Sequence, residues 1–87
     1  MYSIVFTKKA VRDIPKLKSV KLDSTVRALM EIIRNDPYQT PPPYEKLRGD
    51  LKGACSRRIN LKHRLVHKVL EAEQTIKIIS LWTQYER

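Results

Sequence analysis

Residues 54–70, ACSRRINLKHRLVHKVL, decide how the second half of this chain folds. Two stretches, 54–60 and 64–70, have the character of strands and are separated by a turn at Leu61-Lys62-His63. Such a pattern predicts two antiparallel strands joined by a turn. Because Arg58 and Arg64 flank that turn, we predict that they lie near each other on neighbouring strands.

Further strands are predicted on both sides of this hairpin. Residues 47–51 precede it as a short strand, and residues 75–82 follow it with several β-branched positions. Near the N-terminus, residues 2–6 form another short apolar stretch that favours a strand.

A first helix is predicted directly after residue 6, with Thr7 as its N-cap. Proline lacks a backbone N–H and clashes with the preceding turn, so Pro15 predicts a kink or break near Ile14. If the helix resumes, Leu17 continues its apolar face.

A second helix is predicted over residues 20–35, since Leu22, Val26, Leu29 and Ile33 repeat at helical spacing. It should stop before Pro37, because the residue before a proline avoids the helical region. The resulting β-α-α-β-β-β order indicates an α+β protein in which two N-terminal helices pack on one face of a largely antiparallel sheet. The other face is free to bind.

The chain of 87 residues is long enough for one domain. We divide it into a strand and helical pair (1–36), a Pro/Tyr-rich connector (37–44) that we expect to be ordered and extended, and a basic β half (45–87). A single cysteine, Cys55, suits a reducing compartment. The N-terminus lacks a long apolar stretch and no stretch is long enough to span a membrane, so we expect a cytoplasmic protein without membrane contact.

Positive charge dominates the sequence. Eighteen Lys and Arg oppose nine Asp and Glu, which gives a formal net charge of +9 and favours polyanionic partners. Eight of these cations fall between residues 45 and 68: Lys46, Arg48, Lys52, Arg57, Arg58, Lys62, Arg64 and Lys68. They form either a solvated face with scattered cations or a phosphate-binding concavity, in which arginine binds phosphate with two hydrogen bonds.

Glu45 stands at the edge of this basic segment. Nearby cations favour its charged form, so it is either a proton acceptor or a plain salt-bridge partner. His63 and His67 lie in the same segment, and we interpret both as structural rather than catalytic. We expect Cys55 and Trp82 to contribute to packing, and no Cys/His/Asp set has the spacing of metal ligands, so we predict neither a metal nor another cofactor.

The segment EKLRGDLKGACSRRINLKHRLV (45–66) and the terminal LWTQYE resemble the YoeB (Txe) branch of the RelE-type toxins. Their pattern is roughly E-x-L-K/R-x-x-L-x-G-x-x-S-R-R-I-x-x-x-H-R-L-V, ending in His-Tyr. Members are toxins of bacterial type II toxin–antitoxin modules that cut mRNA in the ribosomal A site. The resemblance therefore implies a RelE-like fold and a ribosome-dependent endoribonuclease.

The resemblance also implies roles for individual residues. Glu45 matches the family's general base, and Arg64 the arginine that steadies the phosphate. Arg58 and Arg48 match supporting cations, and Tyr85 matches the terminal tyrosine that holds or stacks the substrate. The other RNA- or phosphate-binding candidates in the basic segment are Lys52, Arg57 and Lys62.

One position departs from the pattern. Gln84 stands where the family has histidine immediately before the tyrosine. A glutamine amide can hydrogen-bond but cannot donate and accept protons as imidazole does. General acid catalysis is worth about 10²–10⁴-fold, so the resemblance implies a weakened enzyme. Gln84 marks a natural variant with another proton donor, such as Tyr85, a naturally attenuated toxin, or a residue introduced so that expression is tolerated.

Three functions remain open from the sequence. The leading one is the ribosome-dependent ribonuclease, inhibited by an acidic YefM/Phd-like antitoxin and binding operator DNA together with it. The second is a non-catalytic nucleic-acid-binding module or co-repressor, for which Glu45 would be dispensable. The third is a ParE-like toxin acting on gyrase, which would also need no carboxylate base.

Overall fold

The computed structural model describes residues 1–84. Two helices and five strands follow one another as β1 (Ser3–Phe6), α1 (Lys8–Ser19), α2 (Asp23–Asn35), β2 (Tyr44–Lys46), β3 (Ala54–Arg58), β4 (His63–Leu70) and β5 (Thr75–Gln84). The sheet order is β1-β5-β4-β3-β2, and every pair is antiparallel except β1 with β5. The predicted α+β class and largely antiparallel sheet are confirmed. Four strands follow the helices, which matches the number of stretches predicted there and is one more than the β-α-α-β-β-β order contains.

Helix α1 begins as the sequence predicts. The Thr7 hydroxyl accepts a hydrogen bond from the Ala10 amide at 3.1 Å and donates one to the Ile79 carbonyl at 2.7 Å. The predicted break near Ile14 is wrong, because α1 continues through Pro15 to Ser19. Pro15 and Val11, one turn before it, are both exposed, so water can satisfy the carbonyl that loses its intrahelical donor.

Helix α2 begins at Asp23, three residues later than predicted. Lys21 has a φ of 61°, a left-handed conformation that ends one helix and redirects the chain before the next begins. The predicted end at Asn35 is confirmed, since Asp36 is extended.

The hydrophobic core lies between the helices and one face of the sheet. Each helix buries the residues that repeat at helical spacing, and β4 and β5 supply the opposing aliphatic side chains. Its fully or almost fully buried members include Ala10, Leu17, Val26, Leu29, Ile33, Leu65, Ile76, Ile78 and Leu81. Within residues 1–84, no helix combines the length and apolarity needed to cross a membrane.

The short strand predicted at residues 47–51 is wrong. Residues 44–46 pair with β3 instead, and Gly49–Leu51 form a single 3-10 turn. Gly49 has a φ of 71°, which no extended strand accommodates, and the Lys52 amide bonds back to its carbonyl at 3.0 Å. This places Glu45 on a sheet strand and Arg48 in the loop that follows.

Candidate active site

Strand register brings the predicted site residues to the sheet face opposite the helices. Cross-strand partners share a face, and Arg58 lies opposite Arg64, as the sequence predicts, while Glu45 lies opposite Ser56. Since Leu65 belongs to the helix-side core, its neighbour Arg64 belongs to the other face. The side chains of Glu45, Ser56, Arg58 and Arg64 therefore converge, and we call these four residues the Glu45 cluster.

An ion pair forms the centre of the Glu45 cluster. Arg64 Nη1 donates to Glu45 Oε1 at 2.7 Å and lies 3.4 Å from the Ser56 hydroxyl. The Arg64 side chain is 19% exposed, whereas that of Glu45 is 66% exposed. The carboxylate is thus accessible to a ligand, and the guanidinium is partly enclosed and oriented beside it.

Two adjoining cavities meet at the ion pair. One of about 350 Å³ is walled by Pro42, Pro43 and Tyr44. The other, of about 490 Å³, extends towards Lys46–Arg48 and Leu61. Glu45, Arg58 and Arg64 line both cavities, so these residues contact whatever occupies the concave face on either side.

The remaining predicted cations are distributed differently. Arg48 lines the 490 Å³ cavity and lies close to the Glu45 cluster. Lys52 instead lines a third cavity of about 670 Å³, which adjoins the 490 Å³ cavity through the shared residues Lys46–Arg48. Lys62 is exposed in the β3–β4 turn, where its backbone amide donates to Asn60 Oδ1 at 2.9 Å. The structure thus brings Arg48 to the site and leaves Lys52 and Lys62 outside its two cavities.

The prediction that Arg57 binds phosphate is contradicted by its burial. Arg57 is fully buried on the helix-side face. Its Nη2 donates to the carbonyls of Pro37 at 2.9 Å and Gln39 at 3.0 Å, and its Nη1 donates to the carbonyl of Pro42. Burial lowers the pKa of the guanidinium, and both of its Nη atoms already donate to backbone carbonyls.

Both histidines lie in the interior. The His63 ring stacks on Trp82 with centroids 3.9 Å apart and planes 23° from parallel, which agrees with the predicted packing role of Trp82. His67 is fully buried, and neither of its ring nitrogens has a hydrogen-bond partner among the described residues. Burial, with a contribution from the Arg57 charge, lowers the pKa of His67 to about 4. Neither ring lines the two cavities at the ion pair.

Cys55 is half-buried rather than enclosed. Burial raises the pKa of its thiol, and the nearby Lys46 and Arg57 charges offset this only in part. The thiol is therefore largely protonated at neutral pH, as expected for a packing residue.

The last strand brings Gln84 next to the site in register. Its backbone pairs with that of His63, while the preceding residue pairs with Arg64. The position that the resemblance assigns to the acid is thus one step along the ladder from Arg64. Tyr85 lies outside the described residues.

Two contributions to the site have only weak signals in the sequence. Ser56 is completely buried beside Arg64, and only its alternation with Arg58 in Ser-Arg-Arg indicates a shared face. The walls contributed by Pro42 and Pro43 come from the connector. The connector is also more folded than the extended segment predicted, since it begins with a turn in which the Gln39 amide donates to the Asp36 carbonyl at 3.1 Å.

Asp13 is a further buried polar residue that fixes the last strand. Its Oδ2 accepts hydrogen bonds from the backbone amides of Leu81 at 2.9 Å and Trp82 at 3.1 Å, and from Lys9 at 2.9 Å. Burial alone would raise the pKa of this carboxyl, but these hydrogen bonds outweigh it and hold the pKa below its ordinary value. A carboxylate on the apolar face of α1, between Ala10 and Leu17, is the feature of the sequence that could have revealed this anchor.

The geometry of the Glu45 cluster defines what it can do chemically. An exposed carboxylate can accept a proton, and two arginines facing one concave surface can bind a phosphate and stabilise added negative charge. Among the described residues, no group of three or more His, Cys, Asp or Glu side chains is placed to hold a metal ion.

Comparison with known proteins identifies the family of this chain. Residues 6–85 match the family described as YoeB-like toxins of bacterial type II toxin–antitoxin systems. A toxin YoeB of Synechocystis is 37% identical over 67 residues, which cover 77% of this chain and 76% of that protein.

Solved structures give the same assignment. The YoeB/ParE toxin of Agrobacterium tumefaciens superposes with a TM-score of 0.85 at 25% identity, covering 95% of this chain and 99% of its own. The toxin in a heterotetrameric YoeB–YefM complex of Staphylococcus aureus gives a TM-score of 0.80 at 31% identity, covering 98% and 99%. The match over residues 6–85 and these relatives show that this chain belongs to the YoeB-like toxins of bacterial type II toxin–antitoxin systems, a family of ribonuclease toxins.

Proposed function

We propose that this protein is a ribosome-dependent endoribonuclease that cuts mRNA by metal-independent acid–base chemistry at the Glu45 cluster. The observation that carries the proposal is the exposed Glu45 carboxylate, 2.7 Å from a partly enclosed Arg64 guanidinium at the junction of two cavities. This reaction requires a base, a fixed cation and space for an extended RNA strand.

The proposed reaction begins when Glu45 removes the proton from a ribose 2′-OH. The 2′-oxygen then attacks the adjacent phosphorus, the bond from phosphorus to the 5′-oxygen breaks, and a 2′,3′-cyclic phosphate and a 5′-hydroxyl result. Arg64 and Arg58 stabilise the extra negative charge that develops on the phosphate oxygens, where charge-assisted hydrogen bonds are strong. Arg48 binds a neighbouring phosphate from the 490 Å³ cavity.

The departing 5′-oxygen needs a proton, and this step distinguishes the chain from the pattern it resembles. Gln84 occupies the histidine position and cannot supply that proton. We therefore propose an attenuated enzyme in which Tyr85 or water donates, and we expect Gln84→His to increase cleavage about 10²-fold or more.

The proposed partners follow from charge and from the family. A net charge of +9 favours ribosomal RNA and mRNA, and an antitoxin with acidic segments would neutralise the same surface. YoeB and YefM form a complex in the Staphylococcus aureus structure, and we propose an equivalent YefM-like antitoxin for this chain. Operator DNA binding would then be a property of that complex.

The test uses bacterial 70S ribosomes carrying a defined mRNA and an empty A site. The chain as it stands and its Gln84→His variant are incubated with these ribosomes, and mRNA ends are mapped by primer extension. Cuts confined to the A-site codon, stronger with Gln84→His, would support the proposal.

Two further outcomes would contradict it. Cuts in free mRNA at the same rate without ribosomes would remove ribosome dependence. Absence of cuts from both proteins, with mRNA binding intact, would favour the non-catalytic binding module instead.

A further inference from the structure

The connector that leads into the Glu45 cluster is held by one buried side chain. Between α2 and β2 the chain forms neither helix nor strand, yet the carbonyls of Pro37, Gln39 and Pro42 all accept hydrogen bonds from Arg57. Arg57 Cζ also lies 4.8 Å from the centroid of the Tyr44 ring, within cation–π distance. A single guanidinium thus binds both ends of the connector.

These contacts end one residue before the proposed base. Tyr44 is the cross-strand partner of Arg57, and Glu45 follows it directly on β2. The same segment supplies Pro42 and Pro43 to the wall of the 350 Å³ cavity. The direction in which the Glu45 side chain projects from the sheet therefore depends on the segment that Arg57 binds.

From these contacts we infer that Arg57 is a positioning residue, which fixes the connector so that Glu45 and the proline wall take their places in the site. The inference rests on the proposed function, since it concerns how the base is placed for RNA cleavage. It assigns a role to Arg57 that differs from phosphate binding, and it separates the two arginines of Ser-Arg-Arg into a buried support and a surface cation.

Geometry explains why arginine is needed at this position. The planar guanidinium presents several donors at fixed angles, which lets one side chain reach three carbonyls at once. Lysine keeps the charge but offers a compact ammonium that cannot span the same acceptors. Methionine fills similar space without any donor and leaves the three carbonyls without this partner.

The experiment compares Arg57→Lys, Arg57→Met and the control Arg12→Met in a Gln84→His background. Arg12 is exposed on α1, and its change removes the same charge away from the connector. Single-turnover mRNA cleavage at saturating ribosome, the half-saturating ribosome concentration, the melting temperature and amide hydrogen exchange are measured for each protein. All cleavage assays are run at least 15 °C below the lowest melting temperature.

We expect a cleavage rate about 10- to 100-fold lower for Arg57→Met, with less than about threefold change in the half-saturating concentration. In Arg57→Met, amide hydrogen exchange should rise mainly in residues 38–47. Arg57→Lys should be intermediate in both cleavage rate and exchange, and Arg12→Met should match the parent in both. This combination separates a misplaced base from a lost phosphate contact, which would raise the half-saturating concentration.

Other results would overturn the inference. An unchanged rate in Arg57→Met would do so, and so would a lower rate with no faster exchange in residues 38–47. Uniformly faster exchange across the sheet would assign Arg57 to general stability alone. If the Gln84→His parent itself cuts no mRNA, the proposed function fails first, and this inference falls with it.

Discussion

Replacing Glu45 with glutamine separates the two interpretations of its ion pair with Arg64. Glutamine keeps the size of the side chain and an oxygen that can accept from Arg64, but it cannot act as a base at neutral pH. If Glu45 is only a salt-bridge partner, its replacement affects stability at most. If it is the base, its replacement affects cleavage while the fold remains.

The structure sets the size of both effects. Because the Glu45 side chain is 66% exposed, its ion pair is worth about 0–1 kcal/mol to the free energy of unfolding. For a chain of 87 residues, such a loss lowers the melting temperature by less than about 8 °C. Loss of the base should lower the cleavage rate by about 10²–10⁴-fold.

The assay measures single-turnover cleavage of A-site mRNA in a Gln84→His background, where the full range of rates is accessible. Glu73→Gln is the matched control, because Glu73 is exposed in the turn before β5 and its replacement removes the same charge. Thermal unfolding of all three proteins is followed by circular dichroism. We expect Glu73→Gln to cut like its parent and Glu45→Gln to remain folded while cutting at least 10²-fold more slowly.

Either of two results would refute this reasoning. Cleavage by Glu45→Gln within about threefold of its parent would exclude the carboxylate as the base. A fall of more than about 15 °C in its melting temperature would show that the ion pair is a main structural element, contrary to its exposure.

Three further predictions concern other parts of the fold. Asp13→Asn should lower the free energy of unfolding by about 1–3 kcal/mol at pH 7, because a charged acceptor of two backbone amides is lost. The pKa of Asp13 is lowered by folding, so its contribution disappears as the pH falls through that folded pKa, and urea unfolding should show parent and variant converging in acid. Folding lowers the pKa of His67 from 6.5 to about 4, so the free energy of unfolding of the parent should fall by up to about 3 kcal/mol as the pH falls from 6.5 towards 4. His67→Leu should remove that pH dependence. An unchanged pH profile in this variant would contradict the burial of His67 as a neutral imidazole. Arg58→Gln should weaken binding of a short RNA several-fold and reduce the salt slope by about one, as measured by fluorescence anisotropy, while Arg12→Gln should leave the slope nearer to that of the parent.

Much of the fold follows from local patterns in the sequence. The Thr7 cap, the apolar spacing of α2 and its end before Pro37 depend on interactions within a few residues, and the structure has all of them. The β3–β4 hairpin is equally local, so the pairing of Arg58 with Arg64 could be predicted from a turn and two strands.

The predictions that failed depended on contacts distant in the sequence. Continuation of α1 through Pro15 depends on which side of the helix faces water, and residues 44–46 rather than 47–51 pair with β3 because of where the connector is held.

The sequence by itself determined the fold class, the basic half and the residue types available for chemistry, because composition and periodicity are properties of the chain. It placed Arg58 near Arg64 but did not exclude the neighbouring Arg57 from the site. Neighbouring residues on a strand point to opposite faces, so the register of β3 places Arg58 with Arg64 and turns Arg57 towards the helices and the connector. Only the tertiary structure, by pairing β2 with β3 and closing the connector around Arg57, brought Glu45 within 2.7 Å of Arg64.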